Sequence, residues 1–186
     1  MRIIGGKFRG KKIFFINTQN TRPLRDFVRE NIFNIITHKQ NSGINLENAK
    51  ILDLYSGFGS FGFECLSRKA NKVVFVEKDK TAFSILKKNV NNLKVLSSSD
   101  LIYSDAKNYI SKINYDDKFD IIFLDPPYID SSYLQILSLI KNKKIFKDKH
   151  LIILHREKKC EDELHKFINI DLLKRYGRSQ IIFGSF

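Results

Sequence analysis

From Lys50 onward, short apolar runs at residues 51–54, 73–76, 101–103, 121–124 and 151–154 alternate with longer polar or amphipathic stretches. Strands covered on both faces by helices read as continuous apolar runs, so this pattern predicts a parallel sheet inside an α/β sandwich. The tail departs from it. Residues 170–176 and 180–183 flank Gly177, which predicts a closing antiparallel hairpin. Ahead of the core, residues 1–16 form short extended pieces punctuated by Gly5-Gly6 and Gly10, a hairpin pattern rather than a helical one. Thr21-Arg22-Pro23 then opens a helix, with Leu24, Val28, Ile32 and Ile35 at helical spacing. The turn residues of segment 41–48 (NSGINLEN) mark a boundary, giving a basic arm over residues 1–48, packed on the core, and a core over residues 49–186.

Composition narrows the class. At 186 residues there is room for one core of ordinary size, and 42% apolar with 28% charged residues is the balance of a globular chain. No apolar run approaches the ~18 residues that a membrane span needs, and the runs in residues 1–16 are too short for a secretory leader. Cys65 and Cys160 form no C-x-x-C, so neither a disulfide framework nor a zinc site is expected, and a reducing cytoplasm is the natural compartment.

The net charge of +13 is unevenly placed. Residues 1–40 carry nine Lys and Arg against two Asp and Glu, residues 131–186 carry twelve against six, and residues 51–130 balance at eleven each. Five of the nine arginines (Arg2, Arg9, Arg22, Arg25, Arg29) lie in the first thirty residues, and two more (Arg175, Arg178) lie near the end. This describes a surface facing a polyanion. Arg22, Arg25 and Arg29 recur at i, i+3 and i+7 beside the apolar stripe of the predicted helix, and are expected to form an exposed cationic edge that docks the phosphate backbone of such a polyanion.

Two motifs carry chemistry. The first is residues 51–62, ILDLYSGFGSFG, where a strand ends on Asp53 and opens into Gly57, Gly59 and Gly62. Glycines there let the backbone approach a ligand at the carboxyl edge of the sheet, and Glu77, ending the next run, can accept from ribose hydroxyls. S-adenosylmethionine and a nicotinamide or flavin dinucleotide share this geometry, since the spacing also matches G-x-G-x-x-G. Tyr103-Ser104-Asp105-Ala106 follows the third run at the same edge, and Asp105 either accepts from a cofactor's adenine amine or caps the next helix.

The second motif, Asp125-Pro126-Pro127-Tyr128, follows the fourth apolar run. Two prolines fix φ and withhold two N–H donors, so carbonyl oxygens and the Asp125 carboxylate can face a ligand as rigid acceptors. An exocyclic NH2 is the donor such a set binds, and holding both hydrogens frees the nitrogen lone pair to attack a methylsulfonium. The Tyr128 ring can stack on a base turned out of its helix or loop. His38, His150, His155 and His165 show no spacing of a metal site or triad and receive no role.

With Arg2-Ile3-Ile4-Gly5-Gly6-Lys7-Phe8-Arg9-Gly10, Thr21-Arg22-Pro23, Val28-Arg29-Glu30, Phe33-Asn34, the Asp53 motif and Asp125-Pro126-Pro127-Tyr128, the chain closely resembles the RsmD family of bacterial 16S ribosomal RNA guanine-N2 methyltransferases. The likeness runs in order from Met1 to the tail Lys174-Arg175-Tyr176-Gly177. It implies a seven-stranded class I methyltransferase fold, Rossmann-like and mostly parallel, with S-adenosylmethionine near Asp53, Gly57, Gly59, Glu77, Asp105 and Ala106. It further implies a guanine amine at Asp125 to Tyr128 and a partner in 16S ribosomal RNA or the assembling small subunit; a monomer without metal or membrane is expected beside it. Leu24 and Phe58 depart from the family pattern, Phe58 where the glycine loop usually has a small residue.

Three rivals remain. A DNA adenine-N6 methyltransferase uses the same acceptor set but usually carries a target-recognition domain, for which the short arm leaves no room. A nicotinamide oxidoreductase leaves Asp125-Pro126-Pro127-Tyr128 unexplained. An RNA-binding protein without catalysis leaves an intact acceptor motif idle.

Overall fold

The computed structural model describes residues 1–16, 24, 26–38, 44–158 and 163–186. Helix α1 (Asp26–His38) precedes a core of alternating strands and helices: β1 (Lys50–Leu54), α2 (Ser60–Ser67), β2 (Lys72–Glu77), α3 (Lys80–Leu93), β3 (Ser99–Tyr103), α4 (Ala106–Lys112), β4 (Phe119–Leu124) and α5 (Tyr133–Lys143). Three strands complete it: β5 (Phe146–Glu157), β6 (Asn169–Tyr176) and β7 (Ser179–Ser185). They form one seven-stranded sheet in the order β3-β2-β1-β4-β5-β7-β6. Only β7 runs against the other strands, inserted between β5 and β6 as the second limb of the C-terminal hairpin.

The apolar runs are continuous because both faces are covered. Ile51, Val73, Phe75, Ile121, Phe123, Leu151 and Ile153 pack in one cluster with residues of α1, α2 and α3. Their neighbours Leu52, Leu54, Val74, Val76, Ile122, Leu124, Ile152 and Leu154 pack in another with α4 and α5. The chain leaves β1 toward β2 and β3, then returns to place β4 on the other side of β1. Open α/β sheets bind ligands at the carboxyl ends of the strands flanking such a reversal, so Asp53 on β1 and Asp125 after β4 border the crevice.

The arm is hairpin-like but hardly a sheet. Arg2 and Lys12 form a single antiparallel bridge, and a short 3-10 turn spans Gly6–Phe8. Ile3 and Ile13 are buried in the same apolar cluster as α1 and the sheet. A buried carboxylate fastens the arm: Glu64 on α2 accepts from the backbone N–H of Ile4 at 2.8 Å and of Gly5 at 2.7 Å. At Gly6, φ is +73° and a Cβ would lie 1.9 Å from the Ser67 carbonyl oxygen, so only glycine fits this approach.

Arg29 corrects the sequence expectation. It is 0% exposed, donates to the Arg2 carbonyl and to Asp26 at 3.0 Å, and places Nε 3.8 Å from Glu64. The buried side of α1 runs through Val28, Arg29, Ile32, Phe33 and Ile36 rather than Val28, Ile32 and Ile35. That rotation carries Arg29 into the seam between arm, α1 and α2, where it cannot meet a phosphate. Arg22 and Arg25, with Thr21 and Pro23, lie outside the described residues.

Candidate active site

The loop after β1 is held against the end of β2. Ser56 N–H donates to the Val76 carbonyl at 3.0 Å, and Gly57 N–H donates to a Glu77 carboxylate oxygen at 2.8 Å. Gly57 and Gly59 take positive φ. Gly62 opens α2 so close to β2 that a Cβ would lie 2.2 Å from the Phe75 ring. Phe58 is buried, and its carbonyl accepts from Asn89 on α3 at 3.1 Å. The same Asn89 amide brackets the end of the arm, accepting from Phe14 N–H at 2.8 Å and donating to the Phe14 carbonyl at 3.0 Å.

Asp53 lies at the centre of this edge, 1% exposed. One carboxylate oxygen accepts from Gly62 N–H at 3.0 Å, while the other is buried without a hydrogen-bond partner among the described residues. Burial pushes its pKa well above the usual carboxylate range, opposed by the Gly62 bond and reinforced by the charges of Asp125 and Glu77. Burial also raises the pKa of Glu77, opposed by the backbone N–H groups of Asp79 and Gly57. The charges of Asp125 and Glu77 thus bear on Asp53 across one crevice, a field that favours a cation.

Asp105 takes the capping role with one of its two carboxylate oxygens. It is the N-cap of α4, accepting from Lys107 N–H at 2.9 Å and Asn108 N–H at 3.4 Å. Its second oxygen lies 3.4 Å from Lys78 Nζ on the exposed side, and Ala106 is buried behind it.

The acceptor motif is gripped from β5. Arg156 donates to the carbonyls of Pro127 and Tyr128, each at 3.1 Å, with its guanidinium over the Tyr133 ring. Those two carbonyls are therefore spent on the protein, a correction to the expectation that they face a ligand. Of the acceptors envisaged, the Asp125 carboxylate and the Pro126 carbonyl are the ones that Arg156 does not take. His155 donates from Nδ1 to Asp125 Oδ1 at 2.7 Å, since an ionised carboxylate can only accept. Burial alone would lower the imidazole pKa. The charge and hydrogen bond of Asp125 outweigh that effect and a smaller push from Arg156, so the net shift is upward. Tyr128 stays exposed, its hydroxyl 3.3 Å from Ser179 at the start of β7.

The sequence-predicted residues Asp53, Gly57, Glu77, Asp105 and Asp125 to Tyr128 thus meet at one sheet edge. His155 and Arg156 were missed. A signal existed in the parallel pairing of the fourth and fifth runs, for Leu124 lies beside Leu154, so the residues that follow each are neighbours.

Comparison with known proteins agrees with this geometry. The family model described as Conserved hypothetical protein 95 matches residues 1–185. Ribosomal RNA small subunit methyltransferase D of Haemophilus influenzae is 36% identical over 159 residues, which cover 85% of this chain and 79% of that protein. The chain belongs to the RsmD family. Among solved structures similar to this RsmD-family chain, the putative methyltransferase yhhF of Escherichia coli superposes with a TM-score of 0.83 at 25% identity, covering 100% of this chain and 97% of that one. The putative methylase HI0767 of Haemophilus influenzae does so with 0.78 at 31% identity, covering 99% and 97%. The fold is therefore that of the RsmD family of methyltransferases throughout. Among the described residues no helix is long and apolar enough to cross a membrane, and no group of His, Cys, Asp and Glu could hold a metal ion.

Proposed function

We propose that the protein methylates the exocyclic N2 amine of a guanine in 16S ribosomal RNA, free or in an assembling small subunit, using S-adenosylmethionine. The observation that carries this reading is the Asp125 carboxylate at the sheet's reversal point, one oxygen fixed by His155 and the other not, directly before an exposed tyrosine ring. The crevice suits the cofactor. The unpartnered Asp53 oxygen and the charges of Asp125 and Glu77 beside it fit a ligand with ammonium and sulfonium charges. Asp53, Gly57, Gly59, Glu77, Asp105 and Ala106 are the residues that would hold it, Asp105 through the oxygen its capping bonds leave over.

When bound, S-adenosylmethionine supplies an electrophilic methyl on sulfur. The protein's part is positioning. Asp125 and the Pro126 carbonyl take the two amine hydrogens, Tyr128 stacks on the base, and Arg156 keeps the loop from yielding. Alignment of this kind is worth up to ~7–11 kcal/mol in well-oriented systems. No strong base is needed, because a methylated aromatic amine loses its proton readily.

Glu77→Ala tests the cofactor assignment. The carboxylate keeps lone pairs beyond those used by Gly57 and Asp79, and a hydrogen bond to a charged group contributes roughly 1.5–3 kcal/mol. Calorimetry should show S-adenosylmethionine binding about ten- to a hundredfold weaker; unchanged affinity removes Glu77 from the site.

With Arg29 buried, the RNA-docking surface moves to the β6–β7 turn. Arg175 and Arg178 are exposed there, and Lys158 joins them through its N–H bond to the Arg178 carbonyl at 2.7 Å. The Tyr128–Ser179 contact sets this basic corner beside the acceptor loop. Changing all three residues to Gln should leave cofactor affinity intact and weaken RNA binding. The slope of log K on log salt should flatten by about 0.7–0.9 for each phosphate that the variant no longer neutralises. An unchanged slope returns the docking role to the arm, Arg22 and Arg25 included. The activity itself is tested by incubating the protein with labelled cofactor and small subunits from a deletion strain, then mapping methylated nucleotides by mass. A methylated adenine in DNA, or no transfer to RNA, would overturn the proposal.

A further inference from the structure

His155 itself does no chemistry in the reaction described so far, yet its ring holds one oxygen of the carboxylate that would bind the amine. It is the first residue of β5 beyond the Leu124–Leu154 pair, 9% exposed, and bonded at 2.7 Å to the carboxylate that would hold the amine. Its other ring nitrogen, Nε2, is buried with no hydrogen-bond partner among the described residues. The Tyr128 ring stands edge-on at 6.0 Å between centroids. A histidine serving only as packing would gain nothing from facing a carboxylate and leaving a buried nitrogen bare.

We propose that His155 is a positioning residue for methyl transfer: its Nδ1–H holds Oδ1 of Asp125, so that the carboxylate turns Oδ2 toward the target amine, and the imidazole's protonation state sets how strongly that oxygen accepts. This rests on the amine-binding role of Asp125 proposed above. In the neutral ring the proton sits on Nδ1 and Nε2 is a bare acceptor, the cheaper group to leave buried. Adding a second proton creates a buried N–H without an acceptor and a full positive charge against Asp125. The carboxylate then shares its negative charge with the imidazolium, and its hold on the amine weakens.

The groups facing the imidazole are few. Asp125 comes from the end of β4, Arg156 from β5 itself and the Tyr128 phenol from the acceptor loop, while β7 sets Ile181 opposite it. Asp125 raises the imidazole pKa and Arg156 opposes it, with the balance upward. The acid limb of turnover should therefore lie above the ordinary histidine value of ~6.5, with activity falling as pH drops through it.

His155→Leu and His155→Asn separate positioning from packing. Leu removes the donor and should lower kcat about ten- to a hundredfold, the range for a hydrogen bond to a charged group. KM for RNA and calorimetric affinity for S-adenosylmethionine should stay within about twofold of wild type, since the glycine loop does not touch the ring and RNA affinity rests mainly on phosphate contacts. Asn places an N–H near the position of Nδ1 but does not titrate. It should restore kcat to within about threefold of wild type and remove the acid limb between about pH 6 and 8. Wild-type turnover in the Leu variant, or an unaltered acid limb in the Asn variant, overturns the proposal.

Nitrogen-15 NMR of the wild-type protein gives a reading that needs no variant to fold. At high pH it should show a protonated Nδ1 and a bare Nε2, and the opposite tautomer would refute the pairing. If the wild type transfers no methyl to RNA, the functional reading fails by itself, and the tautomer and pKa of His155 still decide its link to Asp125.

Discussion

Replacing Glu64 by Ala is expected to cost the fold about 3–5 kcal/mol, the range for removing one partner of a buried ion pair. Glu64 is fully buried, as is Arg29, and the carboxylate also accepts from Ile4 and Gly5 and pairs with Arg68 Nε at 3.0 Å. Its loss leaves two backbone donors without an acceptor and removes the negative charge beside Arg29, whose Nε and Nη1 have no hydrogen-bond partner among the described residues. Desolvation lowers the Arg29 pKa, opposed by the charges of Asp26 and Glu64. Roughly 2–4 °C per kcal/mol in a chain of this size puts the melting point about 6–20 °C lower. A double change, Glu64→Leu with Arg29→Met, should cost less than Glu64→Ala alone, because no charge is then stranded. A single variant within about 1 kcal/mol of wild type in urea melts would mean that the arm is held by its apolar contacts.

Asp125→Ala is expected to lower turnover about 10²–10³-fold, the cost of about 2.7–4 kcal/mol seen when one preorganised polar group is removed from a reacting centre. Cofactor affinity should stay within a few fold, because Asp125 lies across the crevice from the glycine loop. The variant also strands the His155 donor, so the loss should exceed that of His155→Leu. Near-normal methyl transfer by Asp125→Ala, measured in single turnover, would remove Asp125 from the amine site.

The strands were legible because each is covered twice, which turns local sequence into an uninterrupted apolar run, and the helices between them force parallel order. The cofactor edge was legible for a related reason: Asp53, Glu77, Asp105 and Asp125 each lie within two residues of a strand's last residue, at the same side of the sheet. Arg29 was misread because spacing along α1 gives relative angles and not the direction of the core. A turn of one residue position moved it from the edge of the stripe to its middle. His155 was overlooked because its partner lies thirty residues away, joined only by strand pairing. The carbonyls of Pro127 and Tyr128 looked available because rigid geometry says which way an acceptor faces, and only Arg156 says that it is already taken.

The anchoring of the arm on Glu64 also sets an order of events during synthesis. Ile4 and Gly5 lie 60 and 59 residues before their acceptor, and Arg29 meets the same carboxylate from α1. At ~5–20 residues per second, roughly 3–12 s of translation separate Ile4 and Gly5 from Glu64 and about 2–7 s separate Arg29 from it, during which their acceptor does not yet exist. A stretch with nine basic residues and two acidic ones therefore waits unsealed beside the RNA of the machine that is making it. The polar anchor of the arm forms only once α2 has emerged to supply Glu64, so the first segment made is not the first to be completed.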